Sequence, residues 1–88
     1  MSYGVEFRQE AVDRLRHLDK AVAQRILRRL RWLSDNLDTV TPEVLTAELK
    51  GLFKLRVGSY RVIYEINRRE RLIIVHLVGH RRDIYKKK

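Results

Sequence analysis

Lys54, Arg56 and Arg61 flank a Gly58-Ser59 pair in the stretch FKLRVGSYRVIYEIN. Gly-Ser between two alternating apolar runs signals a two-residue hairpin turn of type II′. In that register Val57 pairs with Tyr60, Arg56 lies opposite Arg61, Leu55 faces Val62 and Lys54 faces Ile63. The three cations then project from one face, opposite Phe53, Leu55, Tyr60 and Val62. Two arginines directly across a strand pair repel by roughly a few tenths of a kcal/mol. With no acidic residue beside them in this reading, a bound polyanion is the partner that offsets the repulsion. A second group follows in Gly79-His80-Arg81-Arg82-Asp83-Ile84-Tyr85, ahead of Lys86, Lys87 and Lys88. Gly79 is expected to turn the chain and deliver His80, Arg81 and Tyr85 to a sheet rim. Arginine offers a bidentate fork to phosphate, and a tyrosine among cations is a platform for an unpaired base. The chemistry these residues share is phosphate binding and charge neutralisation.

The elements that must position them follow from periodicity. Tyr3 to Phe7 alternates weakly and reads as an edge strand. Ala11, Val12, Leu15 and Leu18 recur at helical spacing. Asp19 is placed to cap a second helix, with an apolar stripe of Val22, Ile26, Leu30, Leu33 and Leu37. Arg25, Arg28, Arg29 and Arg31 lie on its other faces, either as a solvated surface or as a docking surface for RNA. Residues 34–42 read as a loop, and Pro42 is expected to open one helical turn through Leu45 and Ala47. After Gly51 the period switches to two. Asn67 to Glu70 form a second turn, and Arg71 to Val78 are an almost unbroken apolar strand, expected to be covered on both faces. The order is β-α-α-β-β-β: an α+β fold in which an N-terminal helical hairpin packs on one face of a small antiparallel sheet.

The chain has 88 residues, 44% hydrophobic and 35% charged, with no cysteine. That size suits one domain spanning residues 1–88. The lack of cysteine excludes a disulfide framework, a thiolate nucleophile and a Cys-ligated metal. With no signal-like or membrane-length apolar run, a cytoplasmic protein without membrane contact is expected. The net charge of +9 is unevenly placed: residues 1–50 carry nine basic and eight acidic side chains, and residues 51–88 carry eleven and three. A one-sided excess makes a directed field for polyanions, with nucleic acid the first partner class. His17, His76 and His80 lack metal-ligand spacing, so no metal and no cofactor are expected; His76 reads as a structural histidine within its strand.

Three runs carry a family resemblance: Leu49-Lys50-Gly51, then Lys54 through Tyr64 (KLRVGSYRVIY), then Gly79 through Tyr85 (GHRRDIY). Together with the helical hairpin, they make the chain resemble the RelE/ParE toxin superfamily over nearly its whole length. Within it, the likeness is to the RelE branch, whose members cleave messenger RNA in the ribosomal A site. The resemblance implies a metal-independent endoribonuclease, the toxin of a type II toxin–antitoxin pair. Its expected partners are a cognate antitoxin, messenger RNA and ribosomal RNA, with operator DNA reached only through the antitoxin. The alternative it implies is a ParE-like, non-enzymatic inhibitor of DNA gyrase.

By the same resemblance, Arg61 stabilises the phosphorane-like transition state and Arg81 serves the leaving 5′-oxygen. Lys54 helps activate the 2′-hydroxyl, and Tyr85 stacks on or orients the substrate nucleotide. Arg56, Arg82, Lys86 and Lys87 are the implied RNA contacts. Two positions depart from the branch pattern. Leu52 stands where some members carry a second lysine, and His80 stands where others carry lysine, so His80 competes for the acid role. RNA supplies its own nucleophile, so cleavage needs only 2′-oxygen deprotonation, charge stabilisation and in-line geometry. Crowding with Arg56 and Arg61 is expected to make Lys54 a better base. Whether Lys54, His80 or Tyr85 is the general base or acid, or water supplies the proton, stays open in the sequence.

Overall fold

A hairpin of Phe53–Val57 (β3) and Tyr60–Asn67 (β4) forms the centre of the sheet, in the register expected from its turn. Val57 pairs with Tyr60 and Arg56 with Arg61. Gly58 takes φ +59° and Ser59 has no positive φ, which is the turn's requirement for glycine at its first position. The computed structural model describes residues 2–46 and 51–84. Tyr85, Lys86 and Lys87, with Lys88 and residues 47–50, lie outside the described residues.

The element order is Gly4–Phe7 (β1), Gln9–Arg16 (α1), Lys20–Asn36 (α2), Glu43–Val44 (β2), then β3 and β4, Leu72–His80 (β5) and Arg81–Ile84 (α3). The five strands are ordered β1-β5-β4-β3-β2. Strands β2 to β5 pair antiparallel, whereas β1 lies parallel to β5, so the sheet is mixed and not wholly antiparallel. The helical hairpin carries the chain back before β5 is laid down, which permits the parallel pairing. β1 is an edge strand, as its weak alternation suggests, and β5 is interior, as its apolar run suggests.

The core lies between α2 and one sheet face. Ile26, Leu30, Leu33 and Leu37 meet Leu55, Val57, Val62, Tyr64, Ile73, Val75 and Val78, with Ala11 of α1 joining them. Asp19 caps α2, its carboxylate accepting from the Ala21 N–H at 3.2 Å. The helix outlasts the polar residues that read as loop. Ser34 Oγ donates to the Arg31 carbonyl and Asn36 Nδ2 to that of Trp32, which turns both side chains into helix contacts. Leu33 and Leu37 are buried around them.

Two expectations are corrected. Pro42 opens no helical turn: Glu43 and Val44 form β2, with Glu43 opposite Lys54 and Val44 opposite Phe53. The Leu45 N–H then donates to the Leu52 carbonyl, and Ala47 falls outside the described residues. Gly79 is not a turn either; it lies within β5, opposite Arg61. A Cβ there would come within 3.2 Å of both Arg14 Nη1 and Ile84 Cδ1, so glycine serves close packing of α1 and α3 over the strand. None of the described helices is long and apolar enough to cross a membrane.

The positive second half does not gather at one place. Arg68 and Arg71 stand at the β4–β5 turn, the opposite end of β4 from Gly58, and both engage Asp38. Arg71 also lies over the Tyr3 ring at 4.3 Å, tying β1 to this turn. The Arg71 hydrogen bond, above its other causes, holds the Asp38 carboxyl below its usual range. These cations are structural.

Candidate functional site

The Gly58-Ser59 turn is where cations from four elements converge. Arg61 follows it on β4, and Arg56 is its direct cross-strand neighbour on β3. Arg81 opens α3, and its N–H donates to the Ser59 carbonyl at 2.8 Å. Arg25 of α2 reaches over the turn, its Nη2 2.9 Å from where a Cβ on Gly58 would sit. The sequence-expected group of Arg56, Arg61 and Arg81 is thus assembled around one turn, with Lys54 one alternation further along β3.

Arg61 is 8% exposed, and its guanidinium is bound from below. Nη1 donates to the Gly58 carbonyl at 3.0 Å and the Tyr60 carbonyl at 2.9 Å. Among the described residues its remaining guanidinium nitrogens hold no partner, and they are not sealed from solvent. A fork fixed on one side and open on the other is preorganised for an oxyanion.

His80 ends β5 opposite Tyr60 and packs edge-on against that ring, 5.4 Å between centroids. The Arg82 N–H donates to His80 Nδ1 at 3.1 Å, which leaves Nε2 to carry the proton of the neutral ring. Arg81 and Arg82 are exposed on α3. Tyr85, Lys86 and Lys87, expected to complete this rim, are outside the described residues. His76 is the extra residue of a bulge in β5, and its Nε2 meets Glu65 Oε1 at 2.6 Å. The structural reading of His76 holds.

The expectation that the cations have no acidic neighbour is overturned. Glu43 accepts from Arg56 Nε at 3.1 Å and Nη2 at 2.8 Å, and its Oε2 lies 3.5 Å from Lys54 Nζ. The sequence gap of thirteen residues to Arg56 hid this pairing, because it depends on a two-residue strand that a proline-led loop does not suggest. Glu43 offsets the like-charge crowding on which a base role for Lys54 was built. Hydrogen bonding from Arg56, ahead of its charge and that of Lys54, holds the Glu43 carboxyl below its usual range. Nearby, burial and then the Glu43 charge push the Tyr64 phenol up to about 12, so it stays protonated at neutral pH.

Glu43 occupies the position on Arg56 and Lys54 that a phosphate would take, since the same fork fits either anion. Glu43→Gln is therefore expected to tighten RNA binding about three- to tenfold at low salt, because exposed ion pairs are weak competitors. Filter binding in matched buffers checks this. Above the ordinary carboxylate range Glu43 is charged and the clamp intact. The clamp loosens only as pH falls through its depressed folded value.

Sequence reasoning also left open the role of the α2 arginines. Arg56, with Arg25, Arg28, Arg29, Trp32, Val57 and Gly58, lines a cleft of about 390 Å³ between α2 and β3. The sequence placed the helix arginines, Arg31 included, only on faces away from the apolar stripe, and nothing in it showed that the hairpin turn faces three of them.

A mixed five-stranded sheet, a helical hairpin on one face and a cation-lined hairpin turn define a RelE-type toxin fold. The fold is shared with the toxin–antitoxin complex RelBE2 of Mycobacterium tuberculosis, at TM-score 0.81 and 28% identity, over 94% of this chain and 95% of that one. The archaeal RelE–RelB complex of Pyrococcus horikoshii OT3 superposes at TM-score 0.71 and 27% identity, over 92% and 97%. A protein of Escherichia coli described as a RelE-like toxin is 33% identical over 97% of this chain and 92% of its own length. Residues 5–85 match the profile of the family described as the ParE toxin of type II toxin–antitoxin systems, parDE, and the chain belongs to that family.

Proposed function

We propose that this toxin is a ribosome-dependent messenger-RNA endoribonuclease that arrests translation in the cytoplasm until a cognate antitoxin covers it. The observation that carries the reading is Arg61, with one guanidinium nitrogen anchored on the Gly58 and Tyr60 carbonyls and its other nitrogens without a partner among the described residues. A gyrase-binding surface has no need of a phosphate fork held in this way. The RelE-type relatives of Mycobacterium tuberculosis and Pyrococcus horikoshii are complexes with antitoxins, which supports an antitoxin partner here.

In this mechanism the 2′-oxygen of the message attacks the adjacent phosphorus while the bond from phosphorus to the 5′-oxygen breaks. The products are a 2′,3′-cyclic phosphate and a free 5′-hydroxyl. Arg61 meets the charge on the non-bridging oxygens, the largest electrostatic demand of the step. Arg81 neutralises the departing 5′-oxygen, the His80 Nε2–H donates a hydrogen bond to it, and water gives it a proton. Lys54 with Arg56 holds the phosphate from the β3 side, and the 2′-proton passes to Lys54 or to solvent. Tyr85 orients the nucleotide, and Arg82, Lys86 and Lys87 bind flanking phosphates. No metal enters the scheme, because RNA carries its own nucleophile.

The test maps 5′ ends of messenger RNA in a translating extract given the purified toxin. Discrete new ends bearing 5′-hydroxyls are expected, absent when translation is blocked beforehand. Intact message together with loss of gyrase supercoiling would establish the ParE-like reading, which the family description keeps as the alternative.

A further inference from the structure

The flank of α2 holds a feature that catalysis at Arg61 does not use. Between Lys20 and Ser34 the helix contains no Asp or Glu. Arg25, Arg28 and Arg29 nevertheless line one cleft with Arg56, and none of those three makes an ion pair among the described residues. Trp32 forms part of the same wall, 44% exposed, with the Arg29 guanidinium 4.7 Å above its ring. The cleft volume of about 390 Å³ is within the range of specific small-ligand sites.

Clustered guanidinium groups repel, and an open indole leaves apolar surface in water. One occupant offsets both. Phosphates satisfy the arginine forks, and unpaired bases stack on an aromatic face or on an arginine plane. An acidic peptide answers the charge but not the ring, and a duplex hides its bases. The cleft and Arg61 lie on the two sides of one turn, so a strand bound at one is a few residues from the other. Arg25 covers Gly58 on the α2 side, while the Gly58 carbonyl holds Arg61 on the other.

We propose that this cleft is a second RNA subsite, which binds the single-stranded message flanking the scissile nucleotide through Arg25, Arg28, Arg29 and Trp32. Its place along the strand rests on the ribonuclease reading, but its occupancy is measurable without cleavage. Trp32 is the single tryptophan of the chain, so its emission reports from within the cleft. The full chain is titrated at low salt with an unstructured RNA oligonucleotide whose 2′-hydroxyls are methylated against cleavage. Saturable quenching that weakens with added salt is expected. Arg25→Ala with Arg28→Ala is expected to weaken it at least tenfold without changing the thermal midpoint, since both side chains are exposed. RNA binding without a change in emission, or quenching indifferent to the double variant, overturns the proposal. Poly-glutamate binding as tightly with the same quenching overturns it too, and assigns the cleft to an acidic protein. Quenching that persists while message in a translating extract stays intact defeats the ribonuclease reading and leaves the RNA subsite standing.

Discussion

Arg61→Ala is expected to lower message cleavage by about 10²–10³-fold, the loss typical of removing one preorganised oxyanion donor. The reason is geometric as much as electrostatic. The guanidinium is held by two turn carbonyls at 2.9 and 3.0 Å, so its open edge needs no reordering when a phosphate arrives. Arg61→Lys keeps a charge but loses the fork and the double anchor, and should recover only a small part of the activity. Of the two carbonyls that Arg61 leaves behind, that of Gly58 lies in an exposed turn and that of Tyr60 at the half-buried start of β4, where water takes the place of the guanidinium. The variant is therefore expected to keep its unfolding midpoint within a few degrees, which separates lost chemistry from lost fold. Cleavage rates in a translating extract, set beside thermal unfolding of the same preparations, make the comparison. Full cleavage activity in Arg61→Ala would remove Arg61 from the mechanism, and full cleavage activity in Arg81→Ala would remove Arg81.

What was legible beforehand depended on range. The β3–β4 register could be read because a two-residue turn ties partners only a few residues apart, and alternation then settles which side chains share a face. The stripe Ile26, Leu30, Leu33 and Leu37 was visible for the same reason, as one helix writes it alone. The parallel seat of β1 was not, since its partner Leu72 is far along the chain from Gly4 and no local pattern encodes the direction of an edge strand. Glu43 was missed because two residues are too short to show a period, yet their pairing sets a carboxylate on Arg56 and Lys54. Arg71 illustrates the opposite error. It belonged to the net positive half of the chain, but the fold places it on Asp38 and Tyr3, far along β4 from the turn. Net charge said that a polyanion was welcome; only tertiary pairing said which cations were available to meet it.

Helix α2 shows how closely structural and functional roles can alternate. Ile26 is fully buried between the helix and the sheet, two residues from exposed Arg28. Ile26→Ala is expected to cost about 2–5 kcal/mol, the transfer term plus a cavity that close-packed neighbours fill only partly. For a domain of this length total stability is roughly 4–13 kcal/mol, so the loss is a large part of what holds the fold. At about 4–8 °C per kcal/mol for a small domain, the midpoint should fall by roughly 8–40 °C. Arg28→Ala should move it by only a degree or two, because alanine is the better helix former and no described ion pair is lost. RNA affinity is expected to sort the pair the other way. At a temperature where both variants are folded, Ile26→Ala should bind like the parent chain, since it leaves every cation in place. Arg28→Ala should bind more weakly and with a shallower salt dependence. Calorimetry and Trp32 titration of the two variants measure both halves of the contrast. Similar midpoints would mean that α2 does not hold the sheet through Ile26, contrary to the packing of Ile26 and Leu30 within the core formed with Leu55, Val62 and Tyr64.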